Sequence, residues 1–265
     1  MNAVIKISSP ETRESWEIPI LFEDAHLLAL NKPSRLLTSP DRYDPDRPNL
    51  MKLLHRDIAR GAPWSRERQL GYLANAHRLD FEITGVILLA KEKPVLIALA
   101  NQFGANKPIK TYIGLVQGNP AQAQFEVNAS LAPHPVRFQQ MRRDEKHGKH
   151  ARTEFALLEK FKGFALLQCR PLTARTHQIR AHLQIARLPI AGDSMYGGRP
   201  LYLSQLKSRY RLKPGRVERP LIGIAALHAE SLSLAHPVTG AVLTLTAPWP
   251  KDLSVAVKYL RRFAV

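Results

Sequence analysis

The spacing of hydrophobic positions changes several times along the chain, and each change marks an element. Short β-like runs at 18–22 and 26–30 end in the breaker Asn31-Lys32-Pro33-Ser34. Leu50, Leu53, Leu54 and Ile58 then recur at the three- and four-residue spacing of one helical face, which predicts an amphipathic helix. After a polar loop with Gly61 and Pro63, residues 76–80 lead to Gly85-Val86-Ile87-Leu88-Leu89-Ala90. This run is short, apolar and bounded by Gly and Lys, so it reads as a buried strand, with Asp80 in the loop entering it. Pro94 suits a first helical turn and predicts a helix to about Phe103, after which 111–116 returns to a strand pattern.

Residues 137–152 are polar and read as a loop or an exposed hairpin, with Arg137, Arg142, Arg143, Lys146, Lys149 and Arg152 set against Asp144 and Glu145. Strand-like runs at 153–158 and 164–169 precede a segment in which Ile179, Leu183 and Ala186 share a helical face and Thr176 is the N-cap candidate. Turns at Gly192-Asp193 and Gly197-Gly198 follow, then a basic stretch over 207–219 and strands near 225–234 and 242–246. A last helix runs to Phe263, with Asp252 as its cap. No repeat or low-complexity segment occurs. Strands and helices mix without strict βαβ alternation, which predicts an α+β fold: a central mixed or antiparallel sheet, flanking helices, and a single domain over 1–265.

Composition adds the partner. Of 265 residues, 45% are hydrophobic and 23% charged, an ordinary globular balance, but 39 Lys+Arg against 22 Asp+Glu give a net charge of +17. That excess is beyond what solubility requires and suits a polyanion whose counterions are released on binding, RNA or DNA. A membrane surface is disfavoured, since no basic amphipathic helix carries an aromatic-rich opposite face. The single cysteine, Cys169, excludes an internal disulfide or a multi-cysteine zinc site and is expected to be a buried thiol. Met1-Asn2-Ala3-Val4-Ile5-Lys6 lacks the apolar stretch of a signal peptide, and no run of 18 apolar residues occurs, so a cytoplasmic protein is expected. Nothing demands more than a monomer.

Asp80, taken with its neighbours alone, reads first as a surface carboxylate paired with Arg78. Two rival chemistries fare worse. Asp80 and Glu82 do not flank a bond as paired glycosidase carboxylates must, and +17 is an odd charge for a sugar binder. His177 and His182, five apart, point about 140° apart on a helix, which disfavours a metal site.

Several segments together change the reading. His77-Arg78-Leu79-Asp80-Phe81-Glu82-Ile83-Thr84-Gly85 resembles the signature around the catalytic aspartate of the RluA-type RNA pseudouridine synthases, His-Arg-Leu-Asp, two variable residues, Thr-Ser-Gly. Other landmarks follow in family order: Asn31-Lys32-Pro33, Lys110-Thr111-Tyr112, Arg175-Thr176-His177-Gln178-Ile179-Arg180, Gly192-Asp193 with Tyr196-Gly197, Leu227-His228-Ala229 and His236-Pro237. The resemblance covers about 18–250. The chain departs from the family pattern at Ile83-Thr84 in place of Thr-Ser, at Arg35 in place of Gly, and at Phe81 where a basic residue is common.

The resemblance implies an isomerase that breaks the N-glycosidic bond of a uridine in tRNA or rRNA, turns the uracil and rejoins it through carbon 5. It needs no cofactor and no metal. Asp80 would be the catalytic nucleophile. Arg175 would pair with it, and Tyr112 would stack on the uracil and help move the proton from carbon 5. His77, Arg78 and Thr84 beside Asp80, and His177 and Arg180 of the later motif, are expected to bind substrate, as are Lys207, Arg209 and Arg211. Extruding a stacked uridine costs a few kcal/mol, which phosphate contacts along the basic stretch, interleaved with Tyr202 and Tyr210, would supply. Many members carry a small N-terminal RNA-binding domain, for which a resemblance starting near residue 18 leaves no room. The alternative from another class is a non-catalytic RNA-binding or RNA-chaperone protein on the same scaffold, against which Asp80, Tyr112 and Arg175 together argue.

Overall fold

The computed structural model describes residues 3–41, 44, 47–213 and 215–264. In chain order the elements begin with β1 (Val4–Ser8), β2 (Ser15–Glu23), β3 (Leu27–Lys32), α1 (Leu50–Ala59), α2 (Pro63–Arg66), β4 (Ala74–Asn75), β5 (Thr84–Ala90) and α3 (Lys93–Gly104). They continue with β6 (Ile109–Gln117), β7 (Gln124–Asn128), β8 (Leu131–Pro133), β9 (Met141–Arg143), β10 (Arg152–Phe161), β11 (Phe164–Pro171) and α4 (Gln178–Ile185). A short 3-10 turn at Ser194–Tyr196 precedes α5 (Leu203–Leu206), β12 (Leu227–Ala235), β13 (Val242–Thr246) and α6 (Lys251–Phe263). The chain forms two compact units, residues 1–110 with 229–248, and residues 111–228 with 249–265. The architecture is the expected α+β, a large sheet with flanking helices.

In the first unit the strand order is β1-β2-β3-β5-β12, with β4 on β5 and β13 on β12. The apolar run predicted as a buried strand is β5, and its two faces go to two cores. Ile87 and Leu89 pack with Leu28, Leu30 and the α1 residues Leu50, Leu53 and Leu54. Val86, Leu88 and Ala90 pack with Val95 and Leu99 of α3 and with Leu232 and Leu234 of β12. A strand covered on both faces needs no polar alternation, which is why its sequence has none. The α1 helix starts where Asn49 accepts a hydrogen bond from the Lys52 N–H. At Gly85, which opens the buried part of β5, φ is +115 and a Cβ would lie 2.1 Å from the Ala229 carbonyl oxygen, so only glycine fits.

In the second unit β6, β11, β10 and β7 pair antiparallel in that order, and β8 and β9 form a separate hairpin. Cys169 on β11 is fully buried, as expected, and burial pushes its thiol pKa up. Residues 137–152 are mostly turn and loop, and the strand within them, β9, pairs with β8 in a hairpin over 131–143. Two caps differ from expectation. The N-cap of α4 is His177, in the left-handed region at φ +52, and not Thr176. The N-cap of α6 is Pro250; Asp252 lies inside the first turn and accepts from the Leu253 N–H. Among the described residues no helix is long and apolar enough to cross a membrane.

Candidate active site

Asp80 owes its position to the residue before it. Leu79 is buried, and one hydroxyl satisfies both of its backbone groups: Thr38 Oγ1 accepts from the Leu79 N–H (3.1 Å) and donates to the Leu79 carbonyl (2.9 Å). Thr38 is held in turn by the start of α1, where its carbonyl accepts from the Met51 N–H and Leu37 bridges to Asn49. After Asp80 the chain turns, with the Ile83 N–H donating to the Asp80 carbonyl at 3.2 Å. The departure at Ile83 now has a physical reason. Its side chain is 2% exposed and anchors the turn from inside, while Thr84 keeps a half-buried hydroxyl at the head of β5. Arg35, standing where the family has glycine, keeps a left-handed φ of +59 at a cost of about 1–2 kcal/mol.

Of the residues expected to bind substrate here, Arg78 is exposed and His77 is a strut. The His77 Nε2 accepts from the Leu88 N–H on β5 (3.1 Å), its ring stacks on Phe103 with centroids 5.0 Å apart, and its carbonyl accepts from Asn75 Nδ2. Burial, with the neighbouring Lys110 charge second, pushes its pKa down to about 3. A neutral ring that accepts at Nε2 carries its proton on Nδ1.

Lys32 lies within the Asn31-Lys32-Pro33 motif, which by itself assigns it no role. The side chain is fully buried and its ammonium donates to the Pro33 and Leu36 carbonyls at 2.8 and 2.7 Å. Burial pushes its pKa down to about 7, opposed by the Asp80 charge. The Asp80 charge thus acts on the buried Lys32 inside the same unit. A lysine ending the apolar run of β3 is the signal that could have found it. Thr38 left no such signal, because its partner is 41 positions away.

Thr38→Val keeps the shape of the side chain and strands two buried backbone groups, each worth about 1–3 kcal/mol when unmade. We expect a loss of about 2–4 kcal/mol in urea denaturation, and a kcat that falls more than KM rises. Unchanged stability with unchanged kcat would refute the clamp.

The second unit holds the remaining candidates. Tyr112 is half-buried on β6, opposite Cys169 of β11. Arg175 is exposed in the turn before α4, and Gln178 builds that turn. The Gln178 Oε1 accepts from the Arg175 N–H (3.1 Å) and Thr173 Oγ1 (2.8 Å), and its Nε2 donates to the Arg152 carbonyl and Thr153 Oγ1 (both 2.9 Å). Arg175 Nε donates to the His150 carbonyl at 3.0 Å. The His177 Nδ1 lies 3.0 Å from Tyr196 Oη, which also accepts from the Met141 N–H. Arg180, expected at the substrate, is 5% exposed and holds the fully buried Asp193 through two bonds, Nε–Oδ2 at 2.6 Å and Nη2–Oδ1 at 2.8 Å. Lys207, Arg209 and Arg211 follow α5 as exposed side chains that make no ion pair with a described residue. By contrast Arg142, Arg143 and Arg152 are matched by Asp144, Glu145 and Glu126. The 207–219 stretch thus offers the more available positive charge.

Comparison with known proteins identifies the family. The family model described as RNA pseudouridylate synthase matches residues 26–185. The ribosomal large subunit pseudouridine synthase D of Xylella fastidiosa is 32% identical over 249 residues, covering 92% of this chain and 70% of that one. Its counterpart in Nitrosomonas europaea is 34% identical, covering 94% and 67%. The structure of human RNA pseudouridylate synthase domain containing 4 superposes with a TM-score of 0.67 at 22% identity, over 91% of this chain and 92% of that one, which is a likeness of fold. The family model and these relatives define an isomerase acting on RNA. The chain belongs to the RluA-type RNA pseudouridine synthase family.

Proposed function

We propose that this synthase isomerises uridines of large-subunit ribosomal RNA in the cytoplasm, with Asp80 as the attacking carboxylate. The observation that carries the assignment of Asp80 is its setting: a residue whose backbone is fixed between the Thr38-clamped Leu79 and the turn to Ile83, with the buried Lys32 within reach of its charge. An ionised carboxylate donates an electron pair to the nucleoside as the N-glycosidic bond opens, and it leaves again when carbon 5 bonds to the ribose. Carbon 5 gives up one proton and nitrogen 1 gains one, so the product is an isomer and the atoms balance without an oxidant or a water.

Tyr112 and Arg175 are assigned to the same reaction through their motifs, with Gln178 positioning Arg175. Lys207, Arg209 and Arg211 supply phosphate contacts that offset the few kcal/mol of extruding the uridine. We read Arg180 as a positioning residue that shapes the Asp193 turn. Ribosomal RNA is favoured over tRNA by the names of the relatives in Xylella fastidiosa and Nitrosomonas europaea.

Incubating the protein with deproteinised large-subunit RNA and, separately, with bulk tRNA, then mapping pseudouridine by mass spectrometry, tests the reading. New pseudouridine in the ribosomal RNA is expected. Product in tRNA alone would overturn the substrate, and product in neither would count against both assignments.

A further inference from the structure

Phe81 directly follows Asp80, and its half-buried ring is covered by a cation: Arg47 Cζ lies 3.9 Å from the ring centroid. Arg47 makes no ion pair with a described residue, although in the same unit Arg56, Arg60, Arg68 and Lys91 are each matched with a carboxylate. Its backbone is fixed from both sides, with the N–H donating to the Asp44 carbonyl and the carbonyl accepting from Asn49 Nδ2. Asn49 caps α1 and bridges Leu37, the neighbour of the Thr38 that clamps Leu79. Arg47 and Asp80 are therefore tied to one frame.

A guanidinium lying over a ring keeps the N–H donors at its edge for a ligand, and stacking reduces the rotamer freedom lost when one binds. The ligand that suits a planar cation with no ion pair among the described residues, seated on the ring that follows the reacting aspartate in the chain, is an anion with paired oxygens. In an RNA substrate every nucleotide brings one. We propose that Arg47, seated on Phe81, binds a phosphodiester flanking the reacting uridine and so sets which nucleotide is presented to Asp80. This rests on Asp80 being the reacting group.

The test compares wild type with Arg47→Ala, Arg47→Lys and Phe81→Leu on deproteinised large-subunit ribosomal RNA. Both steady-state kinetics and the salt dependence of Kd are read. For Arg47→Ala, KM should rise about five- to tenfold with kcat within about twofold, as for one lost charge-assisted contact. The slope of log Kd against log salt should shrink by about 0.7, one phosphate fewer on a single strand. Arg47→Lys should keep the slope and lose part of the affinity, and Phe81→Leu should weaken binding with the slope retained. An unchanged slope for Arg47→Ala would overturn the proposal, whatever happens to kcat, and a lowered Tm with that same slope would assign Arg47 to packing on Phe81. Should the wild type form no pseudouridine on this RNA, the assignment of substrate fails while the salt slope of Kd still decides the role of Arg47.

Discussion

Asp80→Asn is expected to reduce pseudouridine formation by a factor on the order of 10³ or more, with fold and RNA affinity retained. The substitution is isosteric and removes only the charge and the nucleophilic electron pair. The backbone features that place the residue, the Thr38 clamp on Leu79 and the turn from Ile83 to the Asp80 carbonyl, do not involve the carboxylate. Loss of the Asp80 charge removes what holds the Lys32 pKa up, so Lys32 becomes more readily neutral, and a neutral amine still donates to the Pro33 and Leu36 carbonyls. The measurement is release of the carbon 5 proton from labelled RNA alongside filter binding of the same RNA. Activity within tenfold of wild type would remove Asp80 from the chemistry, and lost RNA binding would make it a structural residue.

Arg180→Ala should cost about 3–5 kcal/mol of stability, because it leaves the fully buried Asp193 carboxylate without its partner. Asp193→Ala should cost a similar amount. Arg180→Lys should not restore the loss, since one ammonium cannot supply the two parallel N–H bonds that a guanidinium makes to both oxygens. Replacing both partners with apolar residues of similar volume should recover stability relative to either single change, as removing a buried pair together often does. Urea denaturation reads these values. A raised KM with unchanged stability in Arg180→Lys would instead return Arg180 to the substrate.

Much of this was legible in the chain, for reasons that differ by residue. The α1 face of Leu50, Leu53 and Leu54, the helix opened by Pro94 and the apolar run of β5 declare themselves because local spacing matches the core they meet. The strand β1 had the right alternation, with Ile5 and Ile7 buried between exposed neighbours, yet at five residues it was too short to stand out. Cap positions slipped because residue type ranks candidates without fixing φ, and His177 takes a left-handed φ of +52 that the neighbouring Thr176 gave no reason to expect. The bond from Arg180 to Asp193 was not legible because a charged motif residue gives no sign of the buried carboxylate that the fold brings beside it. Thr38, Lys32 and Gln178 escaped for a common reason: each acts through partners brought together by the fold, and one sequence does not show who those partners are.

Gly85 carries a consequence for how the enzyme is made. Its close neighbour, the Ala229 backbone, is roughly 140 residues later in the chain, which at ~5–20 residues per second of synthesis arrives about 7–30 s afterwards. Until then β5 lacks the strand against which Gly85 packs, and the loop that carries Asp80 rests on an open sheet edge. The N-terminal part of the nascent chain thus holds every residue of the Asp80 loop without its backing. Catalytic competence is a late event in biogenesis, gained when the closing strand docks.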